Sequence, residues 1–241
     1  MQILKELINT VPEHRVDEIS IGVFSTLVKA GKYEGVASTL KGDRPHSRIR
    51  GSGDLEQLNL KELSQYALSD NVLEASLGMA AINSYWAVEN ENYKQVNAKK
   101  IILQQGQGKN VGVIGHFPFL EKMEKHFKSL FIFEKRPRQN DYKEEDIPKY
   151  IPDMQVIALT ATSLTNHTLN NIMDSVSDDS FVIMLGPSTP LSPILFDYGI
   201  DVVSGTYIDD YARFKKYVTQ ATPTRHLKGK KYVSLFREDY R

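Results

Sequence analysis

No cysteine occurs among the 241 residues. Disulfides, thiolate zinc sites, iron–sulfur clusters and cysteine nucleophiles are therefore excluded. Net charge is also missing, because 30 lysines and arginines balance 30 aspartates and glutamates. Such a chain has no global field to draw nucleic acid or anionic lipid, and a charged partner must be met by a local patch. No apolar run approaches the ~18 residues a membrane span needs. Residues 1–14 carry Glu6 and Glu13 and lack the sections of a signal peptide. These absences lead us to expect a cytoplasmic protein with no nucleic-acid or membrane partner. What is present is 41% hydrophobic, 25% charged and 10% aromatic residues, which excludes disorder and low-complexity fibres.

Ile3, Leu4, Leu7, Ile8 and Val11 recur at helical spacing before Pro12, predicting an amphipathic first helix. Alternation over 17–40 predicts an antiparallel β-hairpin or meander. Residues 41–53 hold three arginines and three glycines with little to bury and read as a mobile loop or an edge strand. Arg44, Arg48 and Arg50 there form either a clamp for phosphate or carboxylate or an exposed charged stretch. Two helices follow, over about 55–68 and 71–87. Asp70 or Asn71 caps the second, Glu74 lies in its first turn where the helix dipole favours a carboxylate, and Ala75, Gly78, Ala80 and Ala81 admit another backbone closely. That small-residue face motivates the expectation of a homodimer, with packing inside the chain as the alternative. The polar stretch 88–97 is the expected boundary between a domain of residues 1–87 and one of residues 88–241.

Beyond it, the short apolar runs 111–114, 130–133, 156–159 and 181–185 are separated by helical segments, including 119–128 and 166–176, and 202–203 begins a fifth. The pattern is α/β: parallel strands covered on both faces, joined by right-handed crossovers into an open doubly wound sheet. Its ligand crevice lies beyond the carboxyl ends of the strands. The expected strand ends, 115–118, 134–136, 160–163, 186–190 and 204–206, are rich in Gly, Pro, hydroxyl and charged residues.

His116 and His167 fall on such ends, where Glu134 supplies a carboxylate, so a divalent metal ion on imidazole and oxygen ligands is chemically open; solvated or structural histidines are the plainer alternative. Gly112, Gly115 and Glu134 match part of a dinucleotide fingerprint, although Phe117 and Pro118 occupy the turn where a pyrophosphate needs glycine. A Rossmann-type transferase or lyase with a nucleotide-like cofactor such as S-adenosylmethionine is therefore the second functional reading. In Gly186-Pro187-Ser188-Thr189-Pro190, continued by Leu191, Ser192 and Pro193, three prolines fix φ while three hydroxyls stay free. They serve either a preorganised site or a stiff helix start. Thr165 and Asn166 pose the same choice between cap and crevice rim. No His-Glu-x-x-His, Gly-x-Ser-x-Gly or P-loop is present.

The runs Asn-Val-Leu-Glu-Ala-Ser-Leu-Gly-Met-Ala-Ala-Ile-Asn at 71–83, Val-Gly-Val-Ile-Gly-His-Phe-Pro at 111–118 and Phe-Glu-Lys-Arg-Pro at 133–137 occur in this order. After them come Gly-Pro-Ser-Thr-Pro at 186–190 and Tyr-Gly-Ile-Asp-Val-Val-Ser-Gly at 198–205. Over nearly its whole length the chain resembles the uncharacterised bacterial and archaeal family of heavy-metal chelation proteins. The resemblance implies a small α+β domain like the enolase N-terminal domain, then a Rossmann-like domain with a doubly wound, mostly parallel sheet, and a ligand site in the cleft between them. It carries over Glu74, Asn83, His116, Phe117, Glu134, Arg136, Asn166, Thr168, Pro187, Ser188, Thr189 and Pro190 as site positions. The family usually has Thr-Gly-Thr-Thr and Asn-Gly-Thr where this chain reads Thr160-Ala161-Thr162-Ser163 and Asn166-His167-Thr168. Soft metals prefer thiolate, so the expected ligand is a borderline or hard ion, a small organic anion, or a metal chelated by one.

Overall fold

The computed structural model describes residues 1–42, 48–88 and 92–240. Helix α1 (Gln2–Thr10) buries Ile3, Leu4, Leu7 and Ile8, the stripe that its helical spacing marks. The alternating region forms an antiparallel sheet of β1 (Glu18–Ile21), β2 (Ser25–Ala30) and β3 (Tyr33–Ser38). The helix expected over 55–68 is interrupted. Asn59 and Glu62 form a reciprocal capping box that starts α2 (Leu60–Ser64) afresh, and 3₁₀ turns Leu55–Gln57 and Gln65–Leu68 flank it.

Helix α3 (Val72–Trp86) is capped by Asn71 and buried almost all round. Its small residues serve contacts within the chain. A Cβ on Gly78 would lie 1.9 Å from the Ala67 nitrogen, and one on Gly35 of β3 would lie 2.2 Å from the Ala80 oxygen and the Ser84 nitrogen. The face that suggested a twofold partner is thus occupied by β3 and by the 3₁₀ turn before the helix.

The remaining elements are α4 (Ala98–Gly106), β4 (Asn110–Ile114), α5 (Pro118–Glu121), β5 (Ser129–Glu134), β6 (Tyr142–Lys143), α6 (Ile147–Tyr150), β7 (Val156–Thr160), α7 (Thr162–Thr165), α8 (Leu169–Met173), β8 (Phe181–Leu185), β9 (Val202–Ile208), α9 (Tyr211–Thr219) and β10 (Lys230–Phe236). They build a mostly parallel seven-stranded sheet in the order β10-β9-β8-β7-β4-β5-β6, in which only β10 runs antiparallel to its neighbour. The protein is therefore α/β as expected, with differences in detail. Segment 204–206 lies inside β9 and not at a strand end. The 119–128 helix is reduced to α5 and a 3₁₀ turn, Glu124–His126, and the 166–176 helix is broken at His167, whose φ is 62°. Strand β10 begins with Lys230 and Lys231, charges of the kind that protect an edge strand.

Strand alternation divides the apolar interior in two. Ile114, Phe133, Ile157, Leu159, Val182 and Val203 face α1, α3 and the small sheet in one continuous cluster. Val111, Val113, Ala158, Ile183 and Leu185 face Ile101 and Ile102 of α4 on the other side. Among the described residues no helix is long and apolar enough to cross a membrane.

The close approach at Gly78 makes a test. Alanine is the better helix former by about 1 kcal/mol, yet here its methyl group meets backbone that cannot swing aside. Gly78→Ala should lower stability by at least about 2 kcal/mol net, read as a shifted urea midpoint; an unchanged or raised midpoint would show that the helix can move away.

Candidate functional site

Strand β4 lies between β5 and β7, so the chain departs from it to one side and comes back on the other. The loops at its carboxyl end diverge, and the crevice they leave is where open α/β sheets bind ligands. A cleft of about 540 Å³ occupies that place. Its walls are Gly115 and His116 after β4, Glu134, Lys135 and Arg136 at β5, and Thr160, Thr162, Ser163, Asn166 and Thr168 after β7, with Leu40, Lys41, Gly42 and Val72 from the N-terminal part. A neighbouring cavity of about 620 Å³ shares Lys135, Glu144 and Thr168 with it. The Lys135–Glu144 ion pair, 3.7 Å long, stands at the join.

The hydrogen bonds leave particular groups open. Asn166 Oδ1 accepts from Thr168 N at 3.2 Å and from Thr168 Oγ1 at 2.8 Å, so its amide Nδ2 keeps its donor capacity without a partner among the described residues. Thr160 Oγ1 and Thr162 Oγ1 lie 3.0 Å apart, and Ser163 Oγ donates to Thr160 O. The Glu134 carboxylate, half-buried, has no partner among the described residues.

His116 is engaged from behind. Arg138 Nη1 lies 2.6 Å from its Nε2; a guanidinium only donates, so Nε2 accepts and the proton sits on Nδ1. Nδ1 faces Asp141 Oδ2 at 3.8 Å, with the two side chains 8% and 5% exposed. Asp141 also accepts from Arg138 N at 3.0 Å, which closes the loop after β5. The sequence reading missed Arg138 and Asp141, because nothing in their spacing ties them to a histidine over 20 residues away.

The three residues named as metal ligands do not assemble. His167 turns away to bond Ala67 O at 2.9 Å through Nε2 and lies outside the cleft. At His116 the lone pair that a metal would need is taken by Arg138. Among the described residues no group of three or more His, Asp or Glu side chains is placed to hold an ion. A bare metal ion does not fit this donor set.

The other candidates fall in three places. Glu74 stitches the N-terminal part together, accepting from Arg50 N at 2.6 Å and from Ser69 Oγ at 2.7 Å. Arg50 covers the Tyr66 ring and Arg48 bonds Ser52 Oγ; Arg44 lies outside the described residues. Asn83, Ser188, Thr189 and Pro190 are buried where α3 and β3 meet the large sheet. Asn83 Nδ2 donates to Val36 O at 2.8 Å and Pro187 O at 3.2 Å, while Ser188 Oγ accepts from Ser38 N at 2.9 Å. Ser192 Oγ caps Ile194 N. Pro187 O and Ser188 Oγ of the rigid Gly-Pro-Ser-Thr-Pro turn thus join the two parts of the chain, whereas Thr189 Oγ1 and Asn83 Oδ1 are buried with no hydrogen-bond partner among the described residues. Gly112 serves packing, since a Cβ there would come within 2.9 Å of Ile151 and Met154 side-chain atoms.

Phe117 and Pro187 line a separate pocket of about 310 Å³ on the opposite face of the sheet, together with Phe119, Leu185, Arg225 and Tyr232. Beside it Lys230 Nζ donates to Thr224 O and Tyr232 Oη, each at 2.6 Å. Burial without a carboxylate pushes the Lys230 ammonium down to about 8 from its ordinary 10.5.

Fold and cleft together define an α/β protein with a crevice at the switch point of a mostly parallel sheet. The chain belongs to the family described as "Putative heavy-metal chelation", whose two profiles match residues 4–86 and 97–236. An uncharacterised protein of Methanocaldococcus jannaschii is 30% identical over 214 residues, covering 83% of this chain and 80% of that one. The crystal structure of a protein of unknown function from Desulfitobacterium hafniense, of the DUF364 family, is similar with a TM-score of 0.83 at 29% identity, over 98% of this chain and 97% of that one. A Pyrococcus horikoshii protein of unknown function from the same family has the same fold, with a TM-score of 0.83 at 20% identity over 98% of each chain.

Lys230 offers a titration test. Its folded value lies below its unfolded one, so the ammonium disfavours folding in full below about pH 8, and that penalty fades as the pH rises from there through 10.5, above which both states become neutral. Lys230→Met should therefore be more stable than wild type at pH 7 and lose that advantage between pH 8 and 10. Denaturant midpoints of both proteins across this range decide it; a pH-independent difference would mean that Lys230 is well solvated.

Proposed function

We propose that the protein binds a small polar metabolite carrying an anionic group, alone or as the organic shell of a chelated metal ion, in the cleft at the ends of β4, β5 and β7. The two parts of the chain, 1–87 and 88–241, act in this reading as two domains that close on the ligand. The observation that carries it is the set of groups left open among the described residues of the cleft: the Asn166 amide and one hydroxyl of the Thr160–Thr162 pair as donors, a cation at Lys41, and an unpartnered carboxylate at Glu134. Donors and a cation suit an anion, and Glu134 suits a hydroxyl or amine on the same ligand, or the cation of a chelate. The family description and this donor set agree if the metal arrives already held by a ligand's own oxygen or nitrogen atoms. Catalysis is not part of the proposal.

Thermal denaturation with citrate, nickel citrate, nickel and zinc chlorides, and S-adenosylmethionine tests it. A ligand at a hundred times its dissociation constant adds about 2.7 kcal/mol of stability. Citrate or its nickel chelate should stabilise the protein, and Asn166→Asp, which puts a negative charge where a donor stood, should weaken that binding about tenfold or more. Glu134→Gln should weaken the chelate more than free citrate. Stabilisation by the bare ions alone would overturn the reading, and stabilisation by S-adenosylmethionine alone would replace it with the nucleotide-cofactor one. Indifference to every probe would also count against it.

A further inference from the structure

The apolar pocket on the α4 face has a composition unlike the polar cleft. Phe117 and Phe119, their ring centroids 5.9 Å apart, form one wall with Leu185, Pro187 and Tyr232 around them. Gly186 has φ 123°, and a Cβ built on it would meet nothing within 4 Å, so the chain leaves open space where a side chain would stand. Among the described residues no aspartate or glutamate lines the pocket. Its rim is cationic: Arg225 is exposed and bonds only His226 Nε2, Lys230 bonds only Thr224 O and Tyr232 Oη, and neither has a carboxylate partner among the described residues. Thr206, next to Tyr232 across the β9–β10 ladder, is 6% exposed, and its Oγ1 has no partner among the described residues.

We propose that this pocket is a second small-molecule site, for a ligand with a flat aromatic body and one anionic group such as a carboxylate or sulfonate. The body lies against Phe117, Phe119 and Pro187, and the anion meets Arg225 and Lys230 at the rim. At about 310 Å³ the pocket stands at the small end of the range of ligand sites, about 300–1,000 Å³, which fits one or two fused rings. Its chemistry is independent of the cleft, which lies on the opposite face of the sheet and carries both acids and cations.

Two fluorescent probes of nearly equal shape separate the contributions: anionic 8-anilinonaphthalene-1-sulfonate and neutral N-phenyl-1-naphthylamine. The folded protein should bind the sulfonate saturably at one site with blue-shifted emission. Arg225→Gln should weaken the sulfonate about tenfold, the loss of one charge-assisted hydrogen bond, and leave the neutral probe within about twofold. Phe119→Ala should weaken both probes, and Glu134→Gln, in the other cleft, should change neither. Circular dichroism confirms that each variant is folded. The proposal fails if no saturable binding is found, if Arg225→Gln affects both probes equally, or if Glu134→Gln displaces the probes.

Discussion

The contact on which the rest of the structure depends is the near-touching backbone of α3 against β3 and the turn before α2's successor helix. Two glycines allow it, Gly78 in the helix and Gly35 in β3, and each would put a side-chain carbon within 2.2 Å of a backbone atom if it had one. Packing this close buries α3, and burial sets Asn83 where its amide reaches across to Pro187 O. The same placement brings Ser38 N onto Ser188 Oγ. Each hydrogen bond contributes only about 1 kcal/mol net, but each would cost more if one partner were removed. Together they pin the end of β3, and the residues just after β3, Leu40, Lys41 and Gly42, become a wall of the cleft.

Topology supplies the other walls. The strand order reverses at β4, so loops from β4, β5 and β7 spread apart and leave a gap. Into that gap the sequence puts side chains that are only partly committed to one another. Lys135 is paired with Glu144, and His116 is held between Arg138 and Asp141. Asn166, Glu134 and Lys41 are left over. This difference between engaged and open groups is what favours an anion or a chelate over a naked ion: a metal site needs several lone pairs converging on one point, and here His116 spends its lone pair on Arg138 while His167 spends its Nε2 on the other part of the chain.

The parallel strands were legible because burial on both faces makes them continuous apolar runs, and the first helix and the meander because each has one wet face and one dry one. The edge strands β6 and β10 were not. One has only two residues, and the other interleaves lysine and tyrosine in a way that periodicity cannot separate from a loop. At the site, His116 and Glu134, read from the sequence at the ends of their strands, both line one cleft. The resemblance grouped Asn83 and the Gly-Pro-Ser-Thr-Pro turn with them; in the structure these residues lie outside that cleft, and Asn83 Nδ2 and Ser188 Oγ bond between the two parts. Their hydroxyl and amide groups look the same in sequence whether they face a ligand or another stretch of backbone. His167 carries the sharpest difference: at φ 62° it holds a conformation that glycine adopts freely, and it compensates by bonding Ala67 O.

Strand alternation explains why one sheet edge carries two unlike cavities. Residues odd and even along β4 belong to different apolar clusters, with Val111 and Val113 on the α4 face and Gly112 and Ile114 on the other. Gly115, at φ 97°, turns the chain as it leaves the sheet. The next two side chains then part company: His116 enters the polar cleft and Phe117 the apolar pocket. The same parity holds along β8, where Met184 faces the shared core and Leu185 the pocket. The two sites are thus consequences of one pleat, and their chemistries differ because the face toward the small sheet must meet its polar loop ends, whereas the α4 face continues an apolar core to its rim.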